Sequence, residues 1–191
     1  MAKEISTIVA NFTGGPASGK STTASLVFGL LKAAGIDCEY VPEYAKDLVW
    51  EGSFHNLNNQ ALVLGNQFHR VWRLQSKVDV VLTDSPIYLS AIYNPGFGKT
   101  FDDLAIELFK RQHNVTYFMD RTGEYNPNGR YQTEAEAIEI DKKIAKLLKE
   151  HDIPYKRVNA TLCGASLIAE DIYFQVKKTH LNISLSMGTV A

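Results

Sequence analysis

Near the amino end, Gly14-Gly15-Pro16-Ala17-Ser18-Gly19-Lys20-Ser21 fills every fixed place of the pattern GxxxxGK[ST]. The segment constrains the fold because its chemistry works only where a strand ends, the backbone turns tightly and a helix begins. Both neighbours comply. Ile5 to Phe12 reads as a buried strand, and a helix is expected from about Lys20 to Ala34. The glycines let backbone N–H groups turn inward on a polyphosphate, and the helix start aims its positive dipole end at the same anion. The expected nucleotide contacts are Gly14, Gly15, Pro16, Ala17, Ser18, Gly19, Lys20, Ser21 and Thr22. Lys20 would hold the β- and γ-phosphates and Ser21 would ligate Mg²⁺.

The 191 residues suit one compact domain that needs no metal or disulfide staple. Lys plus Arg number 20 against 21 Asp plus Glu, so the net charge of −1 removes the simplest argument for a general polyanion binder. Cys38 and Cys163 lie far apart and match no metal spacing, which predicts reduced packing residues. Neither a signal-like start nor an apolar run of bilayer length is present, so the expectation is a soluble cytoplasmic chain without a membrane partner.

Strand-like and helix-like segments alternate, the pattern of a parallel sheet with helices on both faces. Cys38 to Val41, Val78 to Thr83, Asn114 to Met119 and Tyr155 to Val158 read as four further strands. Helices are expected at Tyr44 to Trp50, Leu57 to Ser76, from the capping pair Thr100 and Asp103 through His113, from the capping box Thr133 and Glu136, and at Ala165 to Lys178. Leu181, Ile183, Leu185 and Met187 alternate with polar residues as in a half-buried strand, against the core or a second subunit.

Val80-Val81-Leu82-Thr83 delivers Asp84 to the sheet edge where the glycine-rich loop lies. Ligands of open parallel sheets sit beyond the carboxyl ends of the strands, so Asp84 there reaches Mg²⁺ or an attacking hydroxyl. Glu43 stands in the same relation to the second strand, or serves only as a helix-start acid. Asp120 to Arg130 is rich in Gly, Asn and Pro and reads as a lid whose Arg121 and Arg130 meet phosphoryl oxygens in the transition state. At ~100° per residue, Gln60 and Gln67 fall on a boundary of the helix expected from Leu57 to Ser76, where a carboxamide suits a base reader. Arg70 opens a basic strip with Arg73 and Lys77 that offers a phosphate contact, and Tyr88 joins the expected acceptor contacts.

These features resemble P-loop kinases of the nucleoside and nucleotide kinase class. Within it, Glu43-Tyr44-Ala45, Thr83 to Pro86 and Gly129-Arg130-Tyr131-Gln132 resemble ribosylnicotinamide-kinase-like AAA ATPases of bacteriophages. The resemblance implies a three-layer P-loop fold with a five-stranded sheet in the order 2-3-1-4-5, and ATP with Mg²⁺. Bacteriophage members include kinases acting on the hydroxymethyl group of 5-hydroxymethyluracil in DNA, so modified DNA is the leading expected acceptor. A free nucleoside, a deoxynucleoside monophosphate and ribosylnicotinamide are the alternatives. By position, Glu43 matches the base of deoxyribonucleoside kinases, and Asp84 the acid of their Asp/Glu-Arg-Ser element. Ser85-Pro86 departs from that element, which leaves Arg121 or Arg130 to clamp phosphate. Asp84 is the favoured base, with Glu43 orienting the acceptor. Asn159-Ala160-Thr161 matches the loop that touches adenine.

A GTPase reading fails for want of an Asn-Lys-x-Asp guanine reader. A motor ATPase reading lacks room for a further helical domain. An ATP-binding regulator acting through a protein partner stays open, as does the choice between monomer and homodimer.

Overall fold

The computed structural model describes residues 7–94, 96–122 and 133–188, with side chains as far as Leu181. In chain order the elements are β1 (Ile8–Thr13), α1 (Lys20–Ala33), β2 (Cys38–Val41), α2 (Tyr44–Trp50), α3 (Phe54–Leu57), α4 (Gln60–Trp72) and β3 (Val80–Thr83). There follow α5 (Leu89–Ile92), α6 (Lys99–Lys110), β4 (His113–Asp120), α7 (Glu134–Glu150), β5 (Lys156–Asn159) and α8 (Leu162–Gly188). The five strands are all parallel and run β2-β3-β1-β4-β5, as the resemblance implies.

Every residue of the central strand β1 is buried, because helices cover both faces. Ile8, Ala10 and Phe12 point to one side, where they pack with Ala24, Val27 and Leu31 of α1 and Ile168, Ile172 and Val176 of α8. Val9 points to the other, with Val41, Val71 and Val81. Beside that group, Leu64, Tyr88, Phe109, Phe118, Ile144 and Leu148 form a second apolar layer beneath α4 to α7. Cys38 is buried and Cys163 exposed, both as free thiols. No helix among the described residues is long and apolar enough to cross a membrane.

Several boundaries differ from the sequence reading. Of the strand expected over 5–12, residues 5 and 6 lie outside the described residues; the described strand is Ile8–Thr13, and the Thr7 hydroxyl before it donates to the Val78 carbonyl at 2.7 Å and accepts the Ser76 N–H at 2.8 Å. The helix expected over 57–76 is shorter, Gln60–Trp72: Asn59 caps α4 by accepting the Leu62 N–H at 3.2 Å, and Leu57 ends the separate short helix α3. Thr100 and Asp103 form no cap. Helix α6 starts after Gly98, Asp103 pairs with Lys99 at 2.6 Å, and the helix ends at Lys110. The capping box of Thr133 and Glu136 is present at the start of α7. The tail expected as a strand over 181–187 is instead the end of α8. Leu181 and Leu185 also recur at helical spacing, and neither Gly nor Pro interrupts the chain between Gly164 and Gly188, so the helix simply continues.

Candidate active site

The glycine-rich loop leaves the buried end of β1 and enters α1 without a side-chain cap. Its backbone is held open by unusual dihedrals: Gly19 has φ 83° and Ala17, which is not a glycine, φ 63°. Space is as demanding as conformation. A Cβ on Gly15 would stand 2.4 Å from the Ala137 carbonyl, and one on Gly19 would stand 2.6 Å from the Ala160 Cβ. The loop is thus wedged between α7 and the segment after β5. Gly14, Gly15 and Ser18 line its buried side, Pro16, Ala17 and Gly19 are half-buried, and Thr22 is exposed. The Ser18 hydroxyl, 1% exposed, has no hydrogen-bond partner among the described residues.

Lys20 reaches back over the loop and donates to the Gly15 carbonyl at 2.8 Å. Burial holds its pKa below the ordinary lysine value, while the charges of Glu43, Asp84 and Asp141 pull it the other way. Three carboxylates therefore face one ammonium. Glu43 comes from the turn between β2 and α2, and its side chain makes no cap bond to the helix it precedes. Burial raises its pKa, Lys20 opposes the rise and Asp84 adds to it. The helix-start reading of Glu43 does not account for that placement.

Asp84 follows β3 and is 3% exposed, with Oδ1 unpartnered among the described residues. Its carboxylate hydrogen-bonds Tyr40, whose hydroxyl also meets Ser21. Burial, together with that anion, drives the Tyr40 pKa far upward, so Tyr40 stays a proton donor. Ser21 and Asp84 thus both act on one tyrosine hydroxyl. No cluster of three His, Cys, Asp or Glu side chains among the described residues could hold a metal by itself. One hydroxyl and one carboxylate beside a phosphate cradle is the donor set Mg²⁺ takes when phosphates supply further ligands. The orphaned oxygens of Ser18 and Asp84 fit such a group.

Arg121, at the end of β4, donates to the Pro16 carbonyl, to Ala137 O at 3.3 Å and to Asp141 at 2.8 and 3.2 Å. Asp141 in turn accepts the Gly15 N–H. The arginine is bound to the rim of the loop, where phosphate oxygens would lie. Arg130 lies outside the described residues. Tyr93, just after α5, is 40% exposed, and its partial burial, then the charges of Glu43 and Asp141, push its pKa up to about 12. Tyr40, Tyr93 and Asp141 were not found by sequence reasoning.

The expected acceptor contacts separate. Gln67 is not on a boundary but 2% exposed, and its carboxamide is spent: it accepts the Tyr44 N–H at 2.9 Å and donates to Thr83 Oγ1 at 3.2 Å and the Pro42 carbonyl at 3.4 Å. It fixes the turn that carries Glu43 instead of reading a base. Gln60 is buried too and donates to Leu57 O at 3.1 Å. Arg70 is committed to Asp47 at 2.6 Å and stacks on Tyr44, 4.8 Å from the ring centre. Arg73 and Lys77 follow the end of α4 on the way to the start of β3, at the far edge of the sheet from Asp84. Tyr88 is fully buried against Phe109, ring centres 4.9 Å apart, with its hydroxyl beside Thr13 under the loop. Asp120 is occupied by Arg157 of β5. Asn159 ends β5, and Ala160 beside it abuts Gly19, so this segment borders the loop.

No curated protein sequence matches the chain significantly. Its fold matches 140 solved chains. Among them is thymidylate kinase from Ehrlichia chaffeensis, at a TM-score of 0.60 and 13% identity over 87% of this chain and 98% of that one. That likeness concerns the fold, a P-loop NTPase sheet of the kind found in kinases. A model of the AAA domain matches residues 9–163, from the second residue of β1 to the second of α8, and so spans the whole sheet and the loop. The chain belongs to this AAA domain family.

Proposed function

We propose that the protein is a phosphotransferase that moves the γ-phosphoryl group of ATP to an alcohol on a nucleotide-type acceptor. The observation that carries this reading is the meeting of Lys20, Glu43 and Asp84 at one sheet edge, with an Asp84 oxygen still unspent. The loop N–H groups and Lys20 would hold the phosphates, Ser21 and Asp84 would hold Mg²⁺, and Asn159 with Ala160 would border the adenine. Bound there, the metal ion neutralises charge on the β- and γ-phosphates.

The acceptor oxygen forms its bond to the γ-phosphorus as the bond to the bridging oxygen of ATP breaks, and the acceptor proton passes to a carboxylate. We assign that proton to Glu43 and not to Asp84, the base favoured by the sequence. Burial raises the basicity of Glu43, whereas Asp84 is tied to Tyr40 beside Ser21. Because the transition state is loose, proton removal contributes less than charge and alignment from Lys20 and Arg121.

An acidic mouth favours an uncharged hydroxyl as acceptor. Glu43 and Asp84 would disfavour a further anion beside the triphosphate, and Arg70, expected to contact a phosphate of the acceptor, is already paired with Asp47. The hydroxymethyl group of 5-hydroxymethyluracil in DNA is the leading acceptor, on the resemblance to bacteriophage kinases. Labelled γ-phosphate offered with a panel tests it: nucleosides, deoxynucleoside monophosphates, ribosylnicotinamide, ordinary DNA and DNA bearing 5-hydroxymethyluracil. Label in the modified DNA alone is the expected result. Label on a free nucleotide would overturn the acceptor, and ATP hydrolysis unaffected by any acceptor would overturn the transferase.

A further inference from the structure

Helix α8 buries one face and leaves the opposite one bare. Ala165, Ile168, Ala169, Ile172 and Val176 pack inward on the sheet and α1. On the reverse side Leu167, Phe174 and Leu181 recur every seven residues, 58%, 60% and 60% exposed. Three large apolar side chains on one line of a helix cost solvation that a lone surface residue does not.

The charges beside this line are arranged symmetrically about Phe174. Glu170 and Asp171 precede it, and Lys177 and Lys178 follow it. Glu170 and Lys177 are seven residues apart and so share one flank, as Asp171 and Lys178 share the other. We infer that this face of α8 binds a second copy of the chain, the two helices antiparallel and crossing at Phe174. A two-fold axis there sets Phe174 on Phe174 and Leu167 on the partner's Leu181. It also sets the acidic pair of each copy against the basic pair of the other. A parallel pairing in register would put acid on acid and base on base, so electrostatics selects the antiparallel one.

The flank of Glu170 and Lys177 carries the pairing, since Asp171 is already engaged by Tyr117 at 2.7 Å and Lys156 at 2.6 Å. Glu170 makes no ion pair within the chain among the described residues, and Lys177 rests over the Tyr173 ring, 5.2 Å from its centre. From Leu167 to Leu181 the seam is about 21 Å long at ~1.5 Å per residue, which belongs to a small, reversible interface.

Sedimentation of the full chain from low micromolar to submillimolar concentration tests the inference. The expected result is a monomer–dimer equilibrium that Phe174→Asp abolishes. Glu170→Lys and Lys177→Glu should each weaken it, by roughly tenfold for a close charge pair inverted. The double variant Glu170→Lys/Lys177→Glu should restore it. In a Cys163→Ser background, Phe174→Cys should cross-link to itself under oxidation and Leu167→Cys should not. A monomer at every concentration, a double variant as weak as the singles, or self-linking of Leu167→Cys as ready as that of Phe174→Cys would each overturn the proposal. All these side chains are on the surface, and thermal melts of the variants should match the parent.

Discussion

The Asp141 carboxylate accepts the Gly15 N–H while holding the Arg121 guanidinium at 2.8 Å, so one side chain of α7 joins the phosphate loop to the end of β4. The two partners are only 17% and 22% exposed. Asp141→Ala leaves a largely desolvated arginine without its anion. The expected cost is about 2 kcal/mol of stability, between the small worth of exposed pairs and the larger penalty for breaking buried ones. Asp141→Asn, which keeps an acceptor for Gly15, should cost less. Denaturant unfolding of both variants checks the order.

The glycines give a pair of opposite predictions. Gly15→Ala would force a methyl to within 2.4 Å of the Ala137 backbone oxygen, which cannot swing aside, so ATP binding and stability should both fall. Gly29, within α1, has nothing within 4 Å of a built Cβ. Gly29→Ala should stabilise the protein by about 0.5–1 kcal/mol through helix propensity, with phosphoryl transfer unchanged. Thermal melts and turnover on the same preparations separate the two.

Glu43 makes stability depend on pH. Its folded pKa lies above the unfolded value of about 4.3, so the native state binds more protons than the unfolded one between the two. Relative to neutral pH, that favourable contribution is full only below the unfolded pKa, and it is lost as pH rises from there through the folded pKa. Glu43→Gln should flatten the fall and stabilise the protein at neutral pH while slowing transfer. Urea midpoints from pH 4 to 8 give the comparison, and a wild-type profile no steeper than that of Glu43→Gln would refute the burial of this charge.

Glu43→Gln should nevertheless be the milder catalytic lesion. Lys20 touches the transferring phosphate in the proposed mechanism, and its removal should cost on the order of a hundredfold or more in single-turnover transfer, the scale seen for lost electrostatic stabilisers. The reverse ranking would mean that proton abstraction limits the reaction.

How far the sequence reveals this site depends on how local each role is. Lys20, Ser21, Asp84 and Glu43 are legible because each follows directly from a strand end, and parallel strands deliver their ends to one edge. Asp141 sits in the third turn of a helix with no motif around it, and only the wedge of α7 against Gly15 gives it a partner. Tyr40 looks like an ordinary strand residue until β2 is laid beside β3, with Tyr40 opposite Leu82 and two steps short of Asp84. Gln67 misled because helical periodicity treats a glutamine as a surface residue. Three backbone and hydroxyl groups of the neighbouring turns needed partners, and the carboxamide entered the core to supply them. The end of α8 was misread since two-residue alternation over a short stretch fits a helix as well.

The claim on which the rest stands is that the loop from Gly14 to Ser21, with Asp84, takes up ATP together with magnesium. Calorimetric titration of the folded chain with ATP measures it directly. The account predicts one ATP per chain in the presence of Mg²⁺, weaker uptake in Asp84→Asn and none in Lys20→Ala. Absence of binding to the folded wild-type chain, or equal binding by Lys20→Ala, would contradict it.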